Sequence, residues 1–294
     1  MRCDSKLCAS NVSCYNGRKM KISVIVPVGN MDEWKVCEES ILASIAAYSG
    51  KVEHELLPCF DLEHRGAYIA RNEGLSKATG DWIAWVDCDD VVEPEWFSVI
   101  ADALEENRDC DVLVFGINEV RLGKKRMLYS PNEHIEDGSS YARSMLNGLG
   151  MPHWLWHRVF KSELWKGVVF DGRVKQDYQA SLQVLPKVKS VKFIPDCLYC
   201  YVKHGHGLSN YIQRMDYDEA CKGFLELINK LPEDWRDEAR QGMALMLTDV
   251  ILHDRSALGA NKYLRPYFWR ILVLRGMSLR FRIKSLLACL FWWR

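Results

Sequence analysis

Three carboxylates fall within four positions at Asp87, Asp89 and Asp90, directly after the uncharged run Trp82–Val86. That run is aromatic and β-branched, which predicts a buried strand. Buried acids are costly unless a cation meets them, and a hard divalent ion takes oxygen ligands. In open α/β sheets, ligands sit beyond the carboxyl ends of the strands. The cluster is therefore a candidate for holding Mg²⁺ or Mn²⁺ and, through it, a phosphate. On these residues alone, an acidic turn before the helix that Pro94 opens explains the pattern equally well.

The surrounding elements must place that strand end. Lys21–Val28 is a continuous apolar run suited to a buried parallel strand. Gly29-Asn30 turns the chain into a helix over Glu33–Tyr48, with Trp34, Cys37, Ile41, Leu42 and Ile45 on one face. Glu55–Phe60 predicts a second strand, and Ala67–Lys77 a helix that Thr79-Gly80 ends. Strand, helix, strand, helix, strand is the order of a doubly wound, mainly parallel α/β sheet. Further on, the patterning gives a helix at Glu95–Asn107 and a strand at Asp111–Val120. A hairpin or exposed loop follows over Leu122–Glu136, with a helix at Ser139–Leu149. Residues 178–186 are expected to be helical, and Val191–Val202 to form strands broken by Pro195. Tyr217–Leu231 and Asp237–Asp254 read as amphipathic helices.

Of the 294 residues, 48% are apolar, ample for a core, and the formal net charge is zero. That total hides an asymmetry: Arg255–Arg294 holds nine Lys/Arg and no Asp/Glu, leaving 30 basic against 39 acidic residues elsewhere. A basic tail points to an anionic partner. Eleven cysteines are scattered, most of them in apolar runs, as expected of reduced, buried thiols in a cytosolic protein. Residues 1–19 are polar, lack a signal-peptide apolar run and read as an N-terminal extension.

Several segments occur in the order of one family. Ile22–Val28, Arg65–Gly74 and Ala78–Asp90 resemble family 2 glycosyltransferases, whose usual form of the last segment is A-T-G-x-Y-I-x-F-L-D-S-D-D. Trp156–Lys161, Phe170–Asp177 and Ile194–Tyr201 resemble its W-N-K-L-Y-R, F-x-E-G-x-x-x-E-D and I-P-E-P-L-Y-Y-Y segments, and His204–Ser209 fits the glycine-containing loop after them. The resemblance implies a GT-A fold over residues 20–210, followed by a helical C-terminal region at 211–294. It also implies an inverting transfer of a sugar from a nucleotide diphosphate sugar, a UDP-sugar by expectation, to a hydroxyl of a glycan or lipid-linked acceptor.

Carried over residue by residue, Asp177 becomes the general base that takes the acceptor's proton. A helix N-cap is the plain alternative for it. Asp89 and Asp90 become the ligands of Mn²⁺ or Mg²⁺, which neutralises the departing diphosphate. Pro27, Asp61, Arg71, Asp87, His204 and His206 fall on the donor side. Arg71 is suited to donor oxygens by its fork geometry, with a helix-surface salt bridge as the alternative. Trp156 and Gln176 fall on the acceptor side, Trp156 serving otherwise as core. Gln176 replaces the Glu that usually precedes the base.

Two departures concern the nucleobase. Gly29 stands where the family has a tyrosine that packs on the base, and Lys51–His64 is long enough for only one strand. These departures support a second expectation, a non-catalytic, membrane-associated relative that has lost donor binding. Cys197 and Cys200 with His204 and His206 resemble a zinc-ligand list, but residues three apart on a strand face opposite ways.

Phe268–Leu274 and Ser278–Arg294 predict two helical stretches hinged at Gly276. The uncharged run Ser285–Trp293 is too short to span a bilayer. Its basic flanks, Trp and Phe fit a helix lying on an anionic membrane; packing on the chain's own domain or on a partner is the alternative. The expectation is a peripheral enzyme of polysaccharide biosynthesis at the inner face of the cytoplasmic membrane, with no nucleic-acid partner.

Overall fold

The computed structural model describes residues 18–147, 153–171, 175–203, 217–253, 261–267, 269 and 283. Its frame is one nine-stranded sheet. The strands are β1 (Lys21–Val28), β2 (Glu53–Phe60), β3 (Trp82–Trp85), β4 (Val91–Val92), β5 (Val112–Arg121), β6 (Lys124–Tyr129), β7 (His134–Asp137), β8 (Arg158–Lys161) and β9 (Ser190–Val202). They run in the order β2-β1-β3-β8-β5-β9-β4, with β6 beside β5 and β7 beside β9. The pairs β1–β2, β1–β3 and β5–β9 are parallel, whereas β8 lies antiparallel between β3 and β5. The carboxyl ends of β1, β2, β3, β5 and β9 therefore share one edge, where ligands of open α/β sheets bind.

Strand alternation divides the apolar residues between two cores. Ile22, Val24, Val26 and Val28 of β1, with Trp82 and Ala84 of β3, face the side covered by α1 (Met31–Ala46) and α3 (Trp96–Glu106). Ile25, Ile83, Trp85, Val112 and Val114 face the other side. There they meet α4 (Gly138–Leu146), α5 (Gln176–Val184), α6 (Tyr217–Asn229) and α7 (Glu233–His253). The C-terminal helices α6 and α7 thus share a core with the sheet. The helix α2 (Ala67–Lys77) lies close over β1: a Cβ on Gly74 would stand 2.3 Å from Ile25 Cγ2, so only glycine fits.

The turn into β3 is fixed by Glu55. Its carboxylate accepts from Ser23 Oγ (2.6 Å), the Thr79 amide (2.6 Å) and Thr79 Oγ1, and it pairs with Lys21. Burial pushes the Glu55 carboxyl up, but hydrogen bonds from Lys21, Ser23 and Thr79 outweigh it and hold the group down at about 2.

Up to α7 the expected elements form, with shifted ends, whereas the expected helical stretches Phe268–Leu274 and Ser278–Arg294 lie almost wholly outside the described residues. Val191–Val202, expected to break at Pro195, is one continuous strand: its register against β5 slips between Val114 and Gly116, opposite Phe193 and Cys197, and this irregularity accommodates a residue with no N–H to donate. Leu122–Glu136 is partly a hairpin, β5–β6, and partly the separate strand β7. Each described cysteine is a free thiol, and all but Cys197 are buried. Among the described residues, no helix is long and apolar enough to cross a membrane.

Candidate active site

The chain leaves β3 into a tight turn in which the Asp90 amide donates to the Asp87 carbonyl (3.1 Å). Ligand oxygens of Asp87, Asp89 and Asp90 lie within 4.8 Å of one another. Asp87 and Asp89 are half-buried, and Asp90 is 2% exposed. A residue of β9 holds this turn. The Tyr199 hydroxyl accepts from the Asp87 amide (3.1 Å) and donates to Asp90 Oδ2 (2.8 Å), while the Val202 amide donates to Asp90 Oδ1 (2.7 Å). Burial, then the charges of Asp87 and Asp89, push the Asp90 carboxyl well above its ordinary value, against the pull of the Val202 and Tyr199 hydrogen bonds. Three crowded acids of this kind form a hard oxygen donor set, and a dication would relieve their repulsion.

Arg71 reaches in from α2, 12% exposed. Its Nη2 donates to Asp87 Oδ1 (3.2 Å) and lies 3.8 Å from Asp177 Oδ1, and its Nη1 donates to Gln176 Oε1. The guanidinium also sits 5.9 Å from the centre of the Phe170 ring. Next to it, Asn72 clasps the backbone of Phe170 from both sides, with Nδ2 donating to the carbonyl (2.7 Å) and Oδ1 accepting from the amide (3.0 Å). A single helix thus ties the segment carrying Asp177 to the carboxylate turn.

Asp177 is the second residue of α5, and the N-cap is Lys175, so Asp177 is not the cap. Its side chain is 22% exposed. Burial raises its carboxyl, the Arg71 charge opposes that, and Asp87 raises it further, with a net upward direction. That direction suits a proton acceptor working near neutral pH.

Other expected residues sit differently. Gln176 is engaged with Arg71. Trp156 is 4% exposed and stacks between Tyr199 (4.4 Å, 18°) and Trp154 (4.9 Å, 14°), so it is core, and the more accessible member of the stack is Trp154. Pro27 is buried at the end of β1, in register with Cys59. Asp61, 5% exposed, accepts from the amides of Arg65 (3.0 Å) and Gly66 (2.6 Å), which outweigh its burial and depress its carboxyl. It holds the loop that enters α2. On the same loop His64, unremarked in the sequence, has φ +54° and puts Nδ1 3.8 Å from where a Gly29 Cβ would stand. Tyr199 likewise carries no local signal in the sequence beyond its place in the Ile194–Tyr201 segment. Cys200 donates to Glu93 Oε1 (2.9 Å) while Cys197 turns to the Tyr129 carbonyl (3.6 Å), so the two thiols diverge. His204 and His206 lie outside the described residues, as does most of the basic tail.

Comparisons with known proteins bear on the fold and the enzyme class. Residues 38–160, from α1 through β8, match the model of glycosyl transferase family 2. The chain is 23% identical over 256 residues to the uncharacterized glycosyltransferase YibD of Escherichia coli K12, spanning 74% of this chain and 73% of that one. It is 33% identical over 86 residues to the glucosyl-dolichyl phosphate glucuronosyltransferase of Haloferax volcanii, spanning 29% of this chain and a quarter (25%) of that protein. The crystal structure of S. aureus TarS 1–349 in complex with UDP-GlcNAc superposes with a TM-score of 0.56 at 17% identity, covering 92% of this chain and 79% of that TarS fragment. Residues 38–160 thus resemble glycosyl transferase family 2, the fold is of the GT-A type, and the chain is a glycosyltransferase.

Proposed function

We propose that the enzyme moves a sugar, with inversion, from a UDP-sugar to a hydroxyl of a glycan or lipid-linked acceptor. The observation that carries this reading is the reach of Arg71, whose one guanidinium meets both Asp87, on the donor side, and Asp177, on the acceptor side. That a fold neighbour was seen with UDP-GlcNAc and with UDP supports the donor class.

In this reading Asp177 receives the acceptor's proton as the acceptor oxygen bonds to the anomeric carbon. The bond from that carbon to the diphosphate breaks, and UDP leaves with the electron pair. Arg71 offers its fork to the diphosphate while fixing the carboxylate of the base. Asp89 and Asp90, with Asp87 beside them, would hold Mn²⁺ or Mg²⁺, which supplies Lewis-acid neutralisation of the leaving group. Asp61 shapes the nucleobase end, where His64 offers the ring surface that Gly29 lacks. The acceptor approaches past Trp154 and Gln176. The basic tail would keep the enzyme at the inner face of the cytoplasmic membrane, where lipid-linked glycans are built.

The test is UDP binding by calorimetry with and without Mn²⁺, in the wild type and in Asp89→Ala. Metal-enhanced binding that the substitution abolishes is expected. Binding indifferent to both would overturn the proposed donor site.

A further inference from the structure

The β5–β6 hairpin carries a side chain that neither folding nor the site explains. Arg121 pairs with Lys124 across a two-residue turn, Leu122-Gly123, and both turn residues have positive φ (+50° and +72°). Such a turn favours Asn-Gly, because a left-handed backbone is costly for a residue with a Cβ. Leucine occupies it nonetheless, 93% exposed, so the residue bears the backbone cost and the exposure of its apolar surface with no compensating contact. Met127 (67%) and Leu128 (38%), on the strand that follows, are exposed as well.

The surroundings are basic. Arg121 and Lys124 are exposed and carry no ion pair among the described residues. Lys125 and Arg126, both well exposed, pair with Glu93 and Glu119, and Lys203 pairs with Glu119 also. Glu95 also faces Lys125, and five cations against three carboxylates leave a net positive surface around the apolar tip.

Its position in the fold gives the tip a direction. β5 runs parallel to β1 and β3, so the hairpin leaves the sheet at the edge that holds the carboxylates. Val120 is in register with Val202, whose amide binds Asp90. Leu122 therefore stands about 7 Å past the level of Asp90, at roughly 3.3 Å per residue.

We infer that the β5–β6 hairpin is a docking element for an anionic lipid surface, with Leu122 entering the interface, Arg121 and Lys124 meeting the headgroups, and the active-site edge turned toward the bilayer. Charge complementarity and convex shape both favour this occupant. An apolar tip flanked by cations is the pattern of an interfacial anchor, whereas a protruding two-residue turn buries too little area for a stable protein interface. The inference is independent of the proposed donor and metal chemistry and of the basic tail.

The test uses the full-length protein with vesicles of phosphatidylcholine and phosphatidylglycerol in equal parts, and with phosphatidylcholine alone. Hydrogen exchange reports on the hairpin separately from the tail. Anionic vesicles are expected to slow exchange over residues 120–129, with the protection weakening as salt rises. Leu122→Asn, which suits the turn better and so preserves the hairpin, is expected to lower vesicle affinity about five- to tenfold. Arg121→Gln is expected to lower it a further several-fold. Vesicle affinity unchanged in Leu122→Asn, or no protection of the hairpin, would overturn the inference. Protection that grows with protein concentration in the absence of lipid would also overturn it, by showing that a second copy pairs along the edge of β6.

Discussion

Replacing Tyr199 with Phe tests how the carboxylate turn is held. The ring, fully buried and stacked on Trp156, would stay, so packing is preserved. What is lost is one oxygen that serves two partners, accepting from the Asp87 amide (3.1 Å) and donating to Asp90 Oδ2 (2.8 Å). A buried polar group left without its partner costs roughly 1–3 kcal/mol. Asp90, 2% exposed, cannot recover the bond from water, whereas the half-buried Asp87 recovers part of it. The expected loss of unfolding free energy in denaturant titrations is about 2–4 kcal/mol, a large fraction of a typical 5–15 kcal/mol. Freed from β9, the turn should also bind Mn²⁺ and UDP together about tenfold more weakly, equivalent to about 1.4 kcal/mol. A loss within the roughly 0.5 kcal/mol range of surface substitutions, with UDP affinity intact, would refute the assignment of Tyr199 as the anchor of the turn.

Two other outcomes follow from the packing. Asn72→Ala removes both hydrogen bonds to the Phe170 backbone, should cost about 1–3 kcal/mol, and should speed hydrogen exchange at Phe170 and Asp171; unchanged exchange there would show that Asn72 does not secure the segment. Burial holds His153 down at about 3 and His157 well below its ordinary 6.5. The folded state keeps both neutral while the unfolded chain protonates, so the stability they allow is present above pH 6.5 and is lost as pH falls below it. Each histidine should contribute a slope approaching about 1.4 kcal/mol per pH unit, set against the opposite contribution of the raised Asp90 and Asp177 carboxyls, so His157→Gln should lose less stability than the wild type between pH 6.5 and about 5; equal acid sensitivity of the two would contradict it.

The strand ending in Asp87–Asp90 and the helix carrying Arg71 were legible because each is local: an apolar run, a 3.6-residue period and a turn of fixed composition. Asp177 came from the order of family segments rather than from periodicity. What the sequence concealed was pairing across distance. Tyr199 lies 112 residues from Asp87, and no local pattern announces which buried tyrosine will meet which acid. Gln176 reads as a neutral substitute for a carboxylate, yet its position lets it accept from Arg71, 105 residues away. Trp156 carries the chemistry of a sugar platform but lies beneath Trp154, because aromatic character does not distinguish a buried face from an open one. Leu122–Glu136 reads as a hairpin or an exposed loop without deciding between them, because Leu122-Gly123 lacks the usual Asn-Gly signal.

The most direct measurement compares Asp177→Asn with the wild type in two assays: UDP release from a panel of UDP-sugars beginning with UDP-N-acetylglucosamine, with water or a glycan as acceptor, and UDP affinity. The substitution keeps the size of the side chain but removes the proposed proton acceptor. Turnover should fall roughly a hundred- to ten-thousandfold, while UDP affinity stays within about twofold. Turnover that survives, or affinity that collapses along with it, would contradict a base held by Arg71 on the acceptor side of the diphosphate.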